Sequence, residues 1–314
     1  MRKNGGTGMS GGWAQMNFEK RGNEMGAERN KVERITSGQP VYPARLKEIK
    51  DFPKELFYIG DLKVLRQRCL AIVGSRKTTQ YGRNMAVSMA RRLAERGVTV
   101  VSGMALGIDT CAHQGALRGG GGTVAVLGCG VDVCYPTENR KLKEEIERAG
   151  LVVSEYPPGT EPERYYFPQR NRIISGLAEA VVVVQAGGNS GALITAELAA
   201  EQGREVFAVP GNIDSLYNLG SNKLIKEGAS PVISVDDVLE PFGLNGITEE
   251  EAERLLSETE RRIYNMIRGS GEMTIDDICR RLEKPPAYVS SIVAVMEMKG
   301  VVFSALGKIF VAKG

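Results

Sequence analysis

The chain has 314 residues, 42% of them hydrophobic and 25% charged, and a net charge of +3. That profile belongs to a globular protein with room for one large domain and one small one. No apolar run approaches the roughly 18 residues of a membrane span, and the five cysteines form no CxxC pair, which excludes the usual metal and redox spacings.

Met1 to Gly38 carries eight glycines, scattered charges and no periodicity, and reads as a disordered leader. It holds seven Lys/Arg and four Asp/Glu, whereas the remainder holds 34 of each sign. Bulk charge therefore cannot steer a polyanion to the folded part, and any anion site must be a local cluster. Gln39 to Gly60 mixes prolines with Leu46, Ile49, Leu56 and Phe57, the composition of an ordered lead-in packed on a sheet edge.

Leu70-Ala71-Ile72-Val73 is an all-apolar run that stops at Gly74-Ser75, as a strand buried on both faces should. Gly82 to Arg96 places Ala86, Met89, Ala90 and Leu93 at helical spacing, and Gly97 ends it before the buried strand Val98–Val101. Such a strand–helix–strand unit implies a parallel pair with a right-handed crossover. Helix Ile108–Leu117, strand Thr123–Leu127, helix Thr137–Ala149 and strand Leu151–Val153 continue the alternation. Strands Ala180–Val184 and Val206–Val209 follow, joined by helix Ala192–Gln202, and the sheet finishes near Val232-Ile233. The pattern predicts a doubly wound α/β domain over 39–240.

An acidic linker occupies 241–256, with Glu249, Glu250, Glu251 and Glu253. Residues 257–314 read as helices Glu260–Arg268, Thr274–Leu282 and Ala287–Lys299 followed by two short strands, the order of a winged helix. Its third helix buries Val289, Ile292, Val293 and Met296 and carries Lys299 as its only basic residue, which points to protein contact or a purely structural appendage rather than groove reading.

Cofactor signals fail on spacing. Gly74-Ser75-Arg76-Lys77-Thr78 lacks the phosphate-loop pattern, and Gly128-x-Gly130 lacks a third glycine, so neither a cofactor nor a metal is expected. Three anion-friendly segments remain. Gly74-Ser75 delivers Arg76 at a strand's carboxyl end, where open parallel sheets bind ligands. Gly187-Gly188-Asn189-Ser190-Gly191 precedes a helix whose first N–H groups face the same side. Arg170-Asn171-Arg172 follows Tyr165, Tyr166 and Phe167. Arginine forks suit phosphate, and a series of phosphates suits a polynucleotide. Asp109 and His113 sit at i and i+4, where they could form an acid–base pair or simply stabilise their helix.

Ile72–Arg76, the run from Ser102 and Gly103 through Gly107 to Asp109, and Ala112-His113 closely resemble the DNA-processing DprA family, also called Smf. So do Tyr135-Pro136, Ser154–Pro157, Phe167–Ile174, Ser190–Ala196, Pro210–Asn212 and Gly220–Ile225. The resemblance implies a Rossmann-like core with a mostly parallel sheet and a non-catalytic homodimer, and the unpaired cysteines, with no apolar span or signal pattern, point to the cytoplasm. Such a protein binds single-stranded DNA and loads RecA onto it in natural transformation. It makes Arg76, Arg170, Arg172 and Lys223 DNA-contacting candidates, with Gly74, Ser75, Asn171, Ser190 and Gly191 as backbone or hydroxyl contributors. Two alternatives share the fold. One is an enzyme releasing the base of a nucleoside monophosphate, with Glu197 after Gly187-Gly188, and the other is a nucleotide-signal sensor.

Overall fold

The computed structural model describes residues 31–244 and 254–312. Most of the expected leader (1–30) and of the acidic linker (245–253) lies outside the described residues. The chain divides into two compact units, one ending at Ile233 and the other starting at Ser234, ahead of the expected boundary at 240.

The first unit is built on a nine-stranded sheet. In chain order its strands are β1 (Glu33–Thr36), β2 (Glu55–Gly60), β3 (Cys69–Gly74), β4 (Thr99–Ser102), β5 (Thr123–Leu127), β6 (Leu151–Ser154), β7 (Ala180–Gln185), β8 (Glu205–Ala208) and β9 (Ser230–Pro231). Spatially they run β1-β2-β6-β5-β4-β3-β7-β8-β9. From β6 to β9 every pairing is parallel, and β1 and β2 join antiparallel at the β6 edge. The leader therefore ends before its expected boundary at Gly38, because Glu33–Thr36 pairs residue for residue with Glu55–Tyr58. Only Ile35 of that strand is buried, so a single apolar residue gave no alternation to detect.

Helices cover both faces. α1 (Gln80–Glu95), α2 (Ile108–Arg118) and α3 (Arg140–Ala149) follow β3, β4 and β5. α4 (Tyr166–Leu177), α5 (Gly191–Glu201) and α6 (Leu219–Lys226) follow β6, β7 and β8. Alternate residues of the central strands face opposite layers: Ala71, Val73, Val181 and Val183 pack with Ile173 and Ile174 of α4 and Ala196 and Ala199 of α5. Leu70, Ile72, Ala71 and Val73 are each at most 3% exposed. Burying each of the three larger ones contributes about 1.5–3 kcal/mol, which is why four consecutive apolar residues specify a central strand.

Chain order moves outward from β3 through β4, β5 and β6, then crosses back to β7 on the other side of β3. The reversal opens a cleft between the carboxyl ends of β3 and β7, because the helices following these strands diverge to opposite faces.

The second unit begins with a helical turn, α7 (Asp236–Leu239), and then forms α8 (Glu258–Ser270), α9 (Ile275–Leu282), α10 (Pro286–Met298) and the hairpin β10 (Val302–Ala305) and β11 (Lys308–Val311). Ser257 and Thr274 close capping boxes at the starts of α8 and α9. Val289, Val293 and Met296 of α10 enter its core with Ile263, Ile267 and Ile278. The opposite side of α10 leaves Tyr288, Val295 and Met298 exposed, and Lys299 is paired with Glu260 at 2.7 Å. Three helices and a β-hairpin are the winged-helix arrangement.

Candidate nucleic-acid interface

A crevice of about 880 Å³ lies over the β3–β7 switch point. One wall is the loop after β3. Ser75 N–H donates to the Gln185 carbonyl at 2.7 Å, and the Ser75 hydroxyl lies 3.3 Å from both Ser190 Oγ and the Gly187 N–H. Ser75 thus staples the end of β3 to the glycine-rich turn after β7. Gln185 locks the same corner from below: its oxygen accepts from Thr79 N–H at 2.9 Å and its amide nitrogen donates to Asn218 at 2.8 Å. Gly107, with φ +85°, packs behind this loop. A Cβ there would stand 2.4 Å from the Ser75 carbonyl oxygen, so only glycine lets the two strand-end loops touch.

This frame leaves Arg76 and Lys77 exposed at the rim. Arg76 lies 5.4 Å from the centroid of Phe167, which in turn stacks on Tyr135 at 5.4 Å. Neither cation has a carboxylate partner among the described residues. Across the crevice, Ser190 caps α5 by accepting from Ala192 N–H, and Gly191 opens onto empty space. Ser190 takes the N–H groups of both Ala192 and Leu193, and the dipole of α5 adds positive potential to the same volume.

The Arg170-Asn171-Arg172 segment does not present its two arginines together. Tyr166–Leu177 is a helix, so side chains two residues apart diverge by about 200°. Arg170 turns inward, is 5% exposed, and donates to the carbonyls of Gly103 and Val126. It forms part of the crevice floor, and its donors hold the ends of β4 and β5. Asn171 donates to the Gly191 carbonyl at 3.3 Å and joins α4 to the start of α5. Arg172 points away and grips both oxygens of Glu155 at 2.7 Å, outside the crevice. Lys223 is also outside it, exposed on α6 and 3.4 Å from Glu227.

Asp109 and Arg170 converge on Gly103, where an added Cβ would meet Arg170 Nη2 at 2.7 Å and Asp109 Oδ2 at 2.8 Å. Burial pushes the Asp109 carboxyl up to about 6, opposed by the Arg170 charge and by the N–H of Ala105. Burial likewise lowers Arg170 to about 10, opposed by Asp109. His113 belongs to neither group. It is fully buried, its Nδ1 lies 2.7 Å from the Thr123 hydroxyl, and burial holds it near 3, in the neutral form. The i, i+4 pair is therefore not an acid–base dyad. Asp109 lies in the crevice floor, and His113 is bonded under the sheet.

Sequence reasoning missed Lys77, Tyr135, Arg164, Leu216 and Tyr217 on the crevice walls. Lys77 adjoins Arg76 and could have been taken with it. Leu216 (75% exposed) and Tyr217 (45%) come from the irregular loop after β8, which has no periodicity to place it.

With this geometry in place, comparison with known proteins is decisive. Residues 33–243 match the family model described as DNA recombination-mediator protein A, and residues 248–308 match the DprA winged helix domain. The chain belongs to the DprA family. Its first match runs past the Ile233 boundary of the compact unit, so the α7 turn belongs to the family's core in sequence and to the second unit in packing. The chain is similar to DNA processing protein DprA of Streptococcus pneumoniae, 47% identical over 201 residues, covering 64% of this chain and 71% of the relative. The Bacillus subtilis protein of the same name is 44% identical over 210 residues, 67% and 71% of the two chains. Among solved DprA structures, that from S. pneumoniae superposes with a TM-score of 0.64 at 43% identity, covering 72% of this chain and 80% of that one. The Helicobacter pylori protein superposes at 0.62 and 31% identity over 68% of this chain and 96% of that one; its structure is described as showing a single-stranded DNA binding mode.

Proposed function

We propose that this DprA-family chain binds single-stranded DNA in the β3–β7 crevice without catalysing a reaction, protects incoming DNA and loads RecA onto it during transformation and recombination. The carrying observation is the rim: Arg76 and Lys77, uncompensated by carboxylates, stand beside the α5 N-terminus and the Phe167–Tyr135 ring pair. Cations and N–H groups reach phosphates, and exposed rings accept the faces of unpaired bases, which a duplex keeps stacked. The single-stranded DNA binding mode described for the H. pylori relative supports the same reading. Glu197, the residue a base-releasing enzyme would use, is exposed and absent from the crevice walls, which speaks against that alternative.

Homodimerisation, hand-over to RecA and a cytoplasmic location complete the proposal and rest on family membership. Among the described residues no helix is long and apolar enough to cross a membrane. The test is a titration of labelled oligo-dT, mixed-sequence single strand and duplex at several salt concentrations. Single strands should bind preferentially, with little dependence on base sequence and a steep loss of affinity as salt rises. Tight, salt-insensitive binding of one sequence, or release of adenine from AMP, would reject the reading.

A further inference from the structure

A second set of rings lies outside the crevice, on the other side of the α4 N-terminus. Tyr165, Tyr166 and Phe167 are consecutive, and the start of α4 sends them different ways. Phe167 faces the crevice with Tyr135, whereas Tyr166 lies against Tyr156 at 4.0 Å and against Tyr165 at 4.4 Å. Tyr156 is held in place by its hydroxyl, 3.2 Å from Gln169 Oε1. The outermost ring, Tyr165, is 58% exposed. An aromatic ring this exposed and backed by two others loses little conformational freedom when a flat partner settles on it. Arg164, the residue before it, lines the crevice and has no carboxylate partner among the described residues. Glu161 and Glu163 on the same loop are the nearby opposing charges in sequence.

We propose that Tyr165, supported by Tyr166 and Tyr156, is a second stacking platform that receives a base of the strand as it leaves the crevice past Arg164. The occupant is single-stranded nucleic acid, because a cation next to an exposed ring is the pairing that follows a phosphate backbone while stacking its bases. Continuity argues for the same strand: Arg164 belongs to the crevice wall and Tyr165 is bonded to it. This inference rests on the crevice reading above and lengthens its footprint.

The test is an oligo-dT length series, from about 4 to 20 nucleotides, against wild type, Tyr165→Ala and Tyr165→Phe. Stacking of one base should make Tyr165→Ala about tenfold weaker for long oligonucleotides, with Tyr165→Phe close to wild type. The shortest oligonucleotides that bind should show no difference, which also reports that the crevice is intact. A long strand carrying abasic spacers should lose the Tyr165 dependence. Equal affinity of Tyr165→Ala and wild type at every length would overturn the platform while leaving the crevice reading standing. An equal penalty at every length would mean that Tyr165 acts by shaping α4, and would also overturn it. Failure of wild type to bind any length would instead remove the crevice reading itself.

Discussion

Arg76 and Arg170 both border the crevice, yet one ends in solvent over a phenyl ring and the other lies beneath the strand ends with its donors on two carbonyls. Their backbones explain the contrast. Arg76 follows a strand whose last residues are pinned by Ser75 and Gln185, so its side chain leaves the sheet at the carboxyl edge. Arg170 is on the inner face of a helix that covers the sheet, where any side chain must enter the core or meet strand ends. A guanidinium is tolerated there because Asp109 and the carbonyl oxygens of β4 and β5 offset its desolvation. The same residue type is thus a solvent-facing cation at the rim and a structural tie in the floor.

The contrast can be broken most forcefully at Arg170. Arg170→Ala should cost about 3–5 kcal/mol, because it leaves Asp109 buried without its counter-charge and two carbonyls without donors. Urea unfolding should show this directly, with the melting temperature down by roughly 10 °C. A folded, fully stable Arg170→Ala protein that had merely lost DNA affinity would reverse the assignment.

Asp109 gives a second handle, through pH. Its carboxyl is raised from 3.8 to about 6 in the folded state. A group whose folded pKa is raised contributes stability that is present below the unfolded value and lost as pH rises through the folded one. Relative to Asp109→Asn, the wild type should therefore gain stability as pH falls from 7 to 4, by roughly 2–3 kcal/mol, since each unit between the unfolded and folded pKa is worth about 1.36 kcal/mol. Parallel denaturation curves at several pH values measure the difference, and a flat difference would mean that Asp109 is not desolvated as described.

At the rim, Arg76→Ala should weaken oligo-dT binding by about 1.5–3 kcal/mol, the worth of one hydrogen bond to a charged group, and leave the melting temperature unchanged. Arg76→Lys should recover part of the loss, since an ammonium supplies charge without the planar fork. A collapsed melting temperature in Arg76→Ala would make the residue structural and erase the distinction from Arg170.

The smallest effects belong to the basic residues that the fold carries away from the site. Arg172→Ala should cost about 0.5–1 kcal/mol of stability through its half-buried pair with Glu155, and Lys223→Ala close to nothing. Neither should alter oligonucleotide affinity, and a large binding defect in either would move the DNA path beyond the crevice mouth.

Local sequence determined the order of strands and helices from Leu70 to Val209, because buried parallel strands are uninterrupted apolar runs and the helices between them alternate at their own period. It also marked Gly74-Ser75-Arg76 and Ser190-Gly191 as turns at the end of a buried strand and the start of a helix, although the bonds that join the two, from Ser75 to Gln185, Gly187 and Ser190, are tertiary. Only the tertiary structure decided which arginine stands at the crevice rim, which lies in its floor and which falls outside it. Arg170 and Arg172 look alike in the chain and are separated by half a turn of α4, and what each meets there, the Gly103 and Val126 carbonyls or Glu155, comes from residues distant in sequence. The same holds for strand β1, whose single buried residue acquires meaning only against β2. It holds too for the rings of Tyr135 and Tyr217, brought to one crevice by loops following different strands. Periodicity records what a residue does within its own element, and contacts between elements leave no such record.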